Sequence, residues 1–193
     1  MKRVYLHILL ISILFNSCSR DKRFSNLDFS NDELLLINGI LYYKNVPFSG
    51  NIVSNYDASK LKSETQYDKG RKHGFEKQWL YNGHLILNRY YIKGNKAGIH
   101  KAWWENGSLK FEYHFNNEGE YNGTVKEWYK SGQIFLAFNY NEGKEVGSQK
   151  MWKLDGSLRA NYEVVNGERF GLIGLKKCYQ VTVGSTEVKL NNM

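Results

Sequence analysis

Six glycines on a fixed spacing constrain this chain more than any other feature. Gly50, Gly74, Gly98, Gly123, Gly147 and Gly171 stand 24, 24, 25, 24 and 24 residues apart. Self-similarity at such a period marks an array of small units, none of which can bury its apolar face alone. Positions are counted here from each frame glycine. Position 5 is tryptophan in four units (Trp79, Trp103, Trp128, Trp152), and position 9 is glycine in the same four (Gly83, Gly107, Gly132, Gly156). Position 11 is aliphatic (Leu61, Leu85, Leu109, Ile134, Leu158), and position 17 carries Tyr67, Tyr91, Phe115, Tyr140 and Val164. A last glycine at position 20 (Gly70, Gly94, Gly143, Gly167) slips by one to Gly119 in the longer third unit, which predicts a local bulge or longer turn there. Five units thus fill residues 50–171.

Each unit reads as a β-hairpin. Asn82-Gly83, Asn106-Gly107, Ser131-Gly132 and Asp155-Gly156 are turn signals, because glycine supplies positive φ and Asn or Asp bonds its own backbone. A type I turn ending in a left-handed glycine pairs position 5 with position 11, so Trp103 should face Leu109 and Trp128 should face Ile134. A two-residue turn would break that apolar pair. Alternation in the second strand then predicts Leu109, Phe111, Tyr113 and Phe115 on the tryptophan face and Lys110, Glu112 and His114 on the other. Connectors such as Lys69-Gly70 and Lys93-Gly94 return the chain. The fold expected is all-β, an open antiparallel meander of stacked hairpins. Aromatic residues at 15% with a single proline agree with a β chain and argue against disorder.

The ends look different. Leu34 to Tyr43, broken by Asn38-Gly39, gives a leading hairpin within a capping segment 32–49. Residues 172–193, with Val181, Val183 and Val188, give trailing capping strands, and both pieces should blunt the sheet edges. Lys2 and Arg3, an apolar run from Val4 to Phe15, then Asn16-Ser17-Cys18 and a charged stretch, follow the order of a secretory signal over residues 1–17. This order resembles a bacterial lipoprotein signal, which implies acylation of Cys18 and a flexible tether over 18–31. Ordinary signal cleavage and an uncleaved anchor are the alternatives. Cys178 is expected as a lone buried thiol.

The rhythm of frame glycine, aromatic residue, Asn-Gly, Leu and aromatic-x-x-Gly resembles bacterial MORN-type repeats of the YwqK-type antitoxin family. Gly74 to Gly98 carries it most clearly, and about two thirds of the chain shares it. The resemblance implies an open twisted sheet acting as a binding or scaffolding surface, with some members named antitoxins and others associated with membranes. It implies no enzyme.

The residues themselves offer no catalytic constellation. His7, His73, His84, His100 and His114 lack metal-ligand spacing, the acids form no dyad, and no phosphate loop or nucleophile elbow occurs, so neither metal nor cofactor is expected. One recurrent chemistry stands out. Lys77, Lys101, Lys126 and Lys150 all occupy position 3, two residues before the tryptophan and on its face. Such a column could meet anionic partners, or it could merely solubilise the aromatic face by extending its stems over it. The reading is a cell-envelope lipoprotein, facing periplasm or cell surface, that binds another protein through the tryptophan and lysine columns. An antitoxin that neutralises a partner toxin and an array that binds phospholipid or glycan directly are the alternatives. Nucleic acid is not an expected partner despite a pI of 9.3, because an envelope lipoprotein does not meet it.

Overall fold

The computed structural model describes residues 26–174, and they are built from strands and turns alone. β1 (Asn26–Asp28) is followed by a short group, β2 (Leu34–Ile37), β3 (Ile40–Tyr43) and β4 (Val46–Pro47). The repeats supply β5 (Gly50–Asp57) and β6 (Lys60–Asp68), then β7 (Arg71–Trp79) and β8 (Leu85–Ile92), then β9 (Asn95–Trp103) and β10 (Leu109–Phe115). β11 (Gly123–Trp128) and β12 (Ile134–Asn141) make the fourth unit, β13 (Lys144–Trp152) and β14 (Leu158–Val165) the fifth, and β15 (Glu168–Leu172) follows. β5 to β15 lie side by side in chain order, each antiparallel to the next, in a twelve-stranded sheet whose ends do not meet. This is the open meander that the repeat predicts.

Two turn types alternate along it. At four hairpin tips a three-residue loop closes on a left-handed glycine. Gly83 N donates to Leu80 O, and Leu80 N donates to His84 O, each at 2.8 Å, and the same pair of bonds recurs at Trp104, Tyr129 and Lys153. Gly83, Gly107, Gly132 and Gly156 have φ between 83° and 87°, and the expected pairs Trp79↔Leu85, Trp103↔Leu109, Trp128↔Ile134 and Trp152↔Leu158 all form. The connectors are two-residue turns with both residues at positive φ, as at Lys93 (50°) and Gly94 (94°), which matches the right-handed twist of the flanking strands. The third connector differs as expected. Gly119 N donates to Asn116 O and Asn116 N to Glu120 O, so the inserted residue makes a three-residue loop.

The structure corrects the predicted division of faces. One residue beyond each Trp–aliphatic pair the register shifts, so that Trp103 faces Leu109 but Ala102 faces Phe111, with Lys110 as the extra residue. Ile86, Phe135 and Arg159 are extra in the equivalent places. Period-two alternation does not carry across a β-bulge. Leu109 therefore shares the face of Trp103, while Phe111, Tyr113 and Phe115 lie on the opposite face with Ala102, His100 and Gly98. The aromatic residues of each unit are split between the two faces.

Burial follows that split. The buried side chains of β5 to β14, Ala97 excepted, lie on the face away from the tryptophans, among them Leu87, Tyr91, Phe115, Tyr162 and Val164. Position 2 forms a buried column through all five units, comprising Ile52, Glu76, His100, Val125 and Gln149. Two of its members answer a local need. At the joints between units the register slips again, and at the second and fourth joints the position-2 side chain reaches the position-16 carbonyl of the unit before, whereas at the first Gln66 Oε1 accepts from Phe75 N. His100 Nε2 donates to Tyr90 O at 2.7 Å, and Gln149 Nε2 donates to Asn139 O at 2.8 Å. In the third joint the inserted residue lets a backbone group do this, Asn122 N donating to His114 O at 2.9 Å, and position 2 is the apolar Val125.

His100 carries a pH consequence. Burial among the Tyr91 and Phe115 rings pushes its pKa down, with Arg89 and Lys96 adding to the shift, while the Tyr90 carbonyl and Glu76 oppose it. A histidine whose folded pKa lies below its unfolded value contributes stability that is present above about pH 6.5 and is lost as the pH falls. His100→Gln, copying the neutral solution at Gln149, is expected to have a stability within about 1 kcal/mol of wild type at pH 8 and to lose part of the decline seen as the pH falls below about 6.5. Urea titrations across that range check it. An unchanged slope would contradict the assignment.

The N-terminal expectations need two corrections. The capping hairpin forms with its turn at Asn38 (φ 49°) and Gly39 (φ 76°), but β2, β3 and β4 make their own sheet and do not extend the large one. The edge of β5 is covered instead by β1, paired in parallel through Asn26↔Asn51 to Asp28↔Val53. Part of the segment expected as a flexible tether is therefore a strand. The small sheet is joined to the large one at the first connector, where Gly70 N donates to Phe48 O at 2.7 Å and Leu41 N donates to Gly70 O at 2.8 Å. The signal segment, Cys18, Cys178 and the capping strands beyond residue 174 lie outside the described residues.

Candidate binding face

Register places the predicted site residues on one surface. Trp79, Trp103, Trp128 and Trp152 are half-buried, as are Lys77, Lys101 and Lys126, while Lys150 is exposed. The lysines sit in a single cross-strand row running from β6 to β14, in the order Glu64, Lys77, Asn88, Lys101, Glu112, Lys126, Ala137, Lys150, Asn161. Every second member is lysine because each unit adds two strands, which sets neighbouring lysines about 10 Å apart.

The four lysines are not electrostatically equivalent. Lys101 Nζ lies 2.8 Å from Glu112 Oε2, and Glu112 Oε1 lies 2.9 Å from His114 Nε2. Those two bonds, Lys101 first, hold the Glu112 carboxyl below its usual range. Lys77 Nζ stands 4.9 Å from the Phe75 ring centroid, a cation–π contact within its own strand. Lys77, Lys126 and Lys150 make no ion pair among the described residues; Lys77 and Lys126 each have a glutamate beside them in the row, Glu64 and Glu112, whereas Lys150 has Ala137 and Asn161. The row lysine with no carboxylate beside it in the row is therefore Lys150, in the fifth unit, near Trp152.

The fifth tryptophan belongs to a second column that pattern-reading by residue type missed. Position 6 holds Tyr56, Leu80, Trp104, Tyr129 and Lys153. Where that residue is a polar aromatic, it donates to the carbonyl of the next unit's position 5. The bonds are Tyr56 Oη to Trp79 O (3.1 Å), Trp104 Nε1 to Trp128 O (3.1 Å) and Tyr129 Oη to Trp152 O (3.0 Å). These bonds fix adjacent hairpin tips to one another. The signal was the constant offset from the frame glycine, hidden because Tyr, Trp, Leu and Lys look unrelated.

Other charged clusters serve the sheet. Glu76, buried on the opposite face, would be raised by burial, but the Lys72 hydrogen bond and charge, the Tyr91 hydroxyl and Arg89 outweigh that and hold its pKa below the usual value. Tyr91 is in turn pushed up to about 12 by burial and by the Glu76 charge. Among the described residues no group of three or more His, Cys, Asp or Glu side chains is placed to hold a metal ion. The surface on offer is a wide, firmly registered β face with a tryptophan column and a lysine row. No protein-family model and no curated protein matches the chain.

Proposed function

We propose that this chain is a non-enzymatic repeat protein of the MORN type, held at the bacterial cell envelope by an acylated Cys18, whose sheet binds another protein through its tryptophan face. The observation that carries the reading is the lysine row beside the tryptophan column. Its members are set by register, three of its four lysines (Lys77, Lys126 and Lys150) make no ion pair among the described residues, and most of the buried side chains belong to the other face. Tryptophans half-buried beside unpaired cations suit a partner that brings acidic side chains, because aromatic anchors supply contact area and complementary charge supplies orientation. Anchoring is a separate matter from binding. No helix of the described residues is long and apolar enough to cross a membrane.

The test is affinity capture from native envelope lysate, comparing the wild-type chain with a variant carrying Glu at Lys77, Lys101, Lys126 and Lys150. Both baits are first matched in unfolding midpoint. A protein retained at least about tenfold better by wild type is the expected result, the factor that losing a charge-complementary contact of about 1.4 kcal/mol would produce. Equal retention would remove the lysine row from the binding surface, and charge-sensitive sedimentation with anionic vesicles in place of protein capture would transfer the row to lipid.

A further inference from the structure

The groove between the third and fourth hairpin tips is lined by Phe111, Tyr113 and Glu127 of the face opposite the tryptophan column, together with residues of the two tips and Trp128. We infer that it takes a single aromatic side chain of a partner polypeptide flanked by carboxylates. It rests on the protein-binding reading for the class of its occupant and on nothing in the lysine row for its location.

The groove encloses about 310 Å³, room for one large side chain. Its lining is mostly aromatic, from Trp104, Phe111, Tyr113, Trp128, Tyr129 and Phe135. The rings are held in place from behind. Trp104 Nε1 and Tyr129 Oη are both spent on carbonyls of the next unit, and Tyr113 Oη donates to Glu127 Oε1 at 2.6 Å. Phe111 stacks on Tyr113 at 4.3 Å, and Tyr129 meets Phe135 edge-on at 5.2 Å. A cleft of pre-set aromatic surface loses little entropy on binding, which is what a hot-spot pocket requires.

Charge and hydrogen-bond inventory then choose among occupants. Lys110 and Lys130 line the groove with one carboxylate, Glu127, already engaged by Tyr113, and Lys130 Nζ lies a loose 3.9 Å from the exposed Glu105 carboxylate outside the lining. Lys110 Nζ lies 4.5 Å from the Trp104 ring centroid, poised to turn to an incoming anion. A saccharide would need several polar partners, but the N–H and O–H donors of Trp104, Tyr113 and Tyr129 are already committed to protein acceptors. A phosphate would find no backbone cradle, because the tip amides of Trp104, Gly107, Tyr129 and Gly132 are all bonded within their own turns, and it would meet only Lys110 and Lys130, which makes the nucleotide the competitor to test. An apolar ring with one or two adjacent carboxylates matches what is left.

Fluorescence anisotropy with the full chain in detergent micelles tests this. The probe is a labelled Gly-Asp-Trp-Asp-Gly peptide, compared with Gly-Asp-Ala-Asp-Gly and Gly-Lys-Trp-Lys-Gly, with adenosine monophosphate and N-acetylglucosamine as competitors. The expected result is saturable binding of the first peptide alone. It should weaken at least about tenfold in the double variant Lys110→Glu, Lys130→Glu, whose unfolding midpoint should match wild type, and weaken again in Phe135→Ala. It should be unchanged when the four row lysines carry Glu. Three results would each overturn the inference, namely no binding of the first peptide, equal binding of all three, or displacement by the nucleotide or the sugar at lower concentration than by unlabelled peptide. Peptide binding lost in the row variant but kept in the groove variant would refute the groove and leave the protein-binding reading standing.

Discussion

Gln149→Leu is expected to destabilise the chain by about 3–5 kcal/mol, although glutamine to leucine is close to volume-conserving and the site is fully buried. Gln149 has no exposed surface, and its amide makes three bonds to backbone. Nε2 donates to Asn139 O at 2.8 Å and to Val146 O at 3.0 Å, while Oε1 accepts from Asn139 N at 2.9 Å. Leucine would leave the Asn139 amide and carbonyl and the Val146 carbonyl without these partners, at about 1–3 kcal/mol for each that water does not reach. The neighbouring unit shows why the cost is specific to the joint and does not reflect the column as a whole. Val125 occupies the same position without penalty because Asn122 N already satisfies the His114 carbonyl. Urea denaturation of Gln149→Leu beside Val125→Leu checks the claim. Equal losses in the two would show that position 2 matters only for packing.

Phe48→Ala is expected to cost about 3–5 kcal/mol in the opening of the N-terminal sheet, with little effect on the far units. Phe48 is fully buried, and its ring packs edge-on against Tyr43 at 6.5 Å and Tyr67 at 6.1 Å. Its backbone bridges the two sheets, accepting from Gly70 N and donating to Leu41 O. An array whose units touch only their neighbours passes little of this loss along its length. Hydrogen exchange should show β2 to β4 unprotected while β11 to β14 keep wild-type protection. Uniform loss across the sheet would mean that the array unfolds as one unit and that the ends are not separable.

The frame of this fold was legible in the sequence. Glycine spacing set the unit length, Asn-Gly and Asp-Gly marked the tips, and the apolar pair of positions 5 and 11 set the register next to each tip, as Trp103↔Leu109 shows. The extra residue of the third unit became the longer turn at Asn116 to Glu120. The face assignment was not legible. Lys110, Ile86, Phe135 and Arg159 are the residues that bulge out of register. Nothing in their chemistry marks them, since a bulge is imposed by strand pairing and twist. The same slip decides which aromatic residues are core. Tyr113 and Trp103, which unbroken alternation would put together, end on opposite sides of the sheet. The parallel strand β1 was missed for a related reason, because Asn26-Leu27-Asp28 has neither the length nor the apolar alternation of a strand and is held by the edge it covers. Of the candidate site, the lysine column was readable as a period. Its unequal partners, Glu112 for Lys101 and none for Lys150 among the described residues, depend on which strand lies alongside.

The division of the aromatic residues between two faces underlies both the proposed binding surface and the groove behind it, and backbone NMR measures it directly. Cross-strand contacts between β9 and β10 should pair Ala102 with Phe111 and Lys101 with Glu112, beside Trp103 with Leu109. Contacts pairing Lys101 with Phe111 and His100 with Glu112 would mean a strand without the bulge. Trp103 and Phe111 would then share one face, and the tryptophan column would belong to the core instead of the surface.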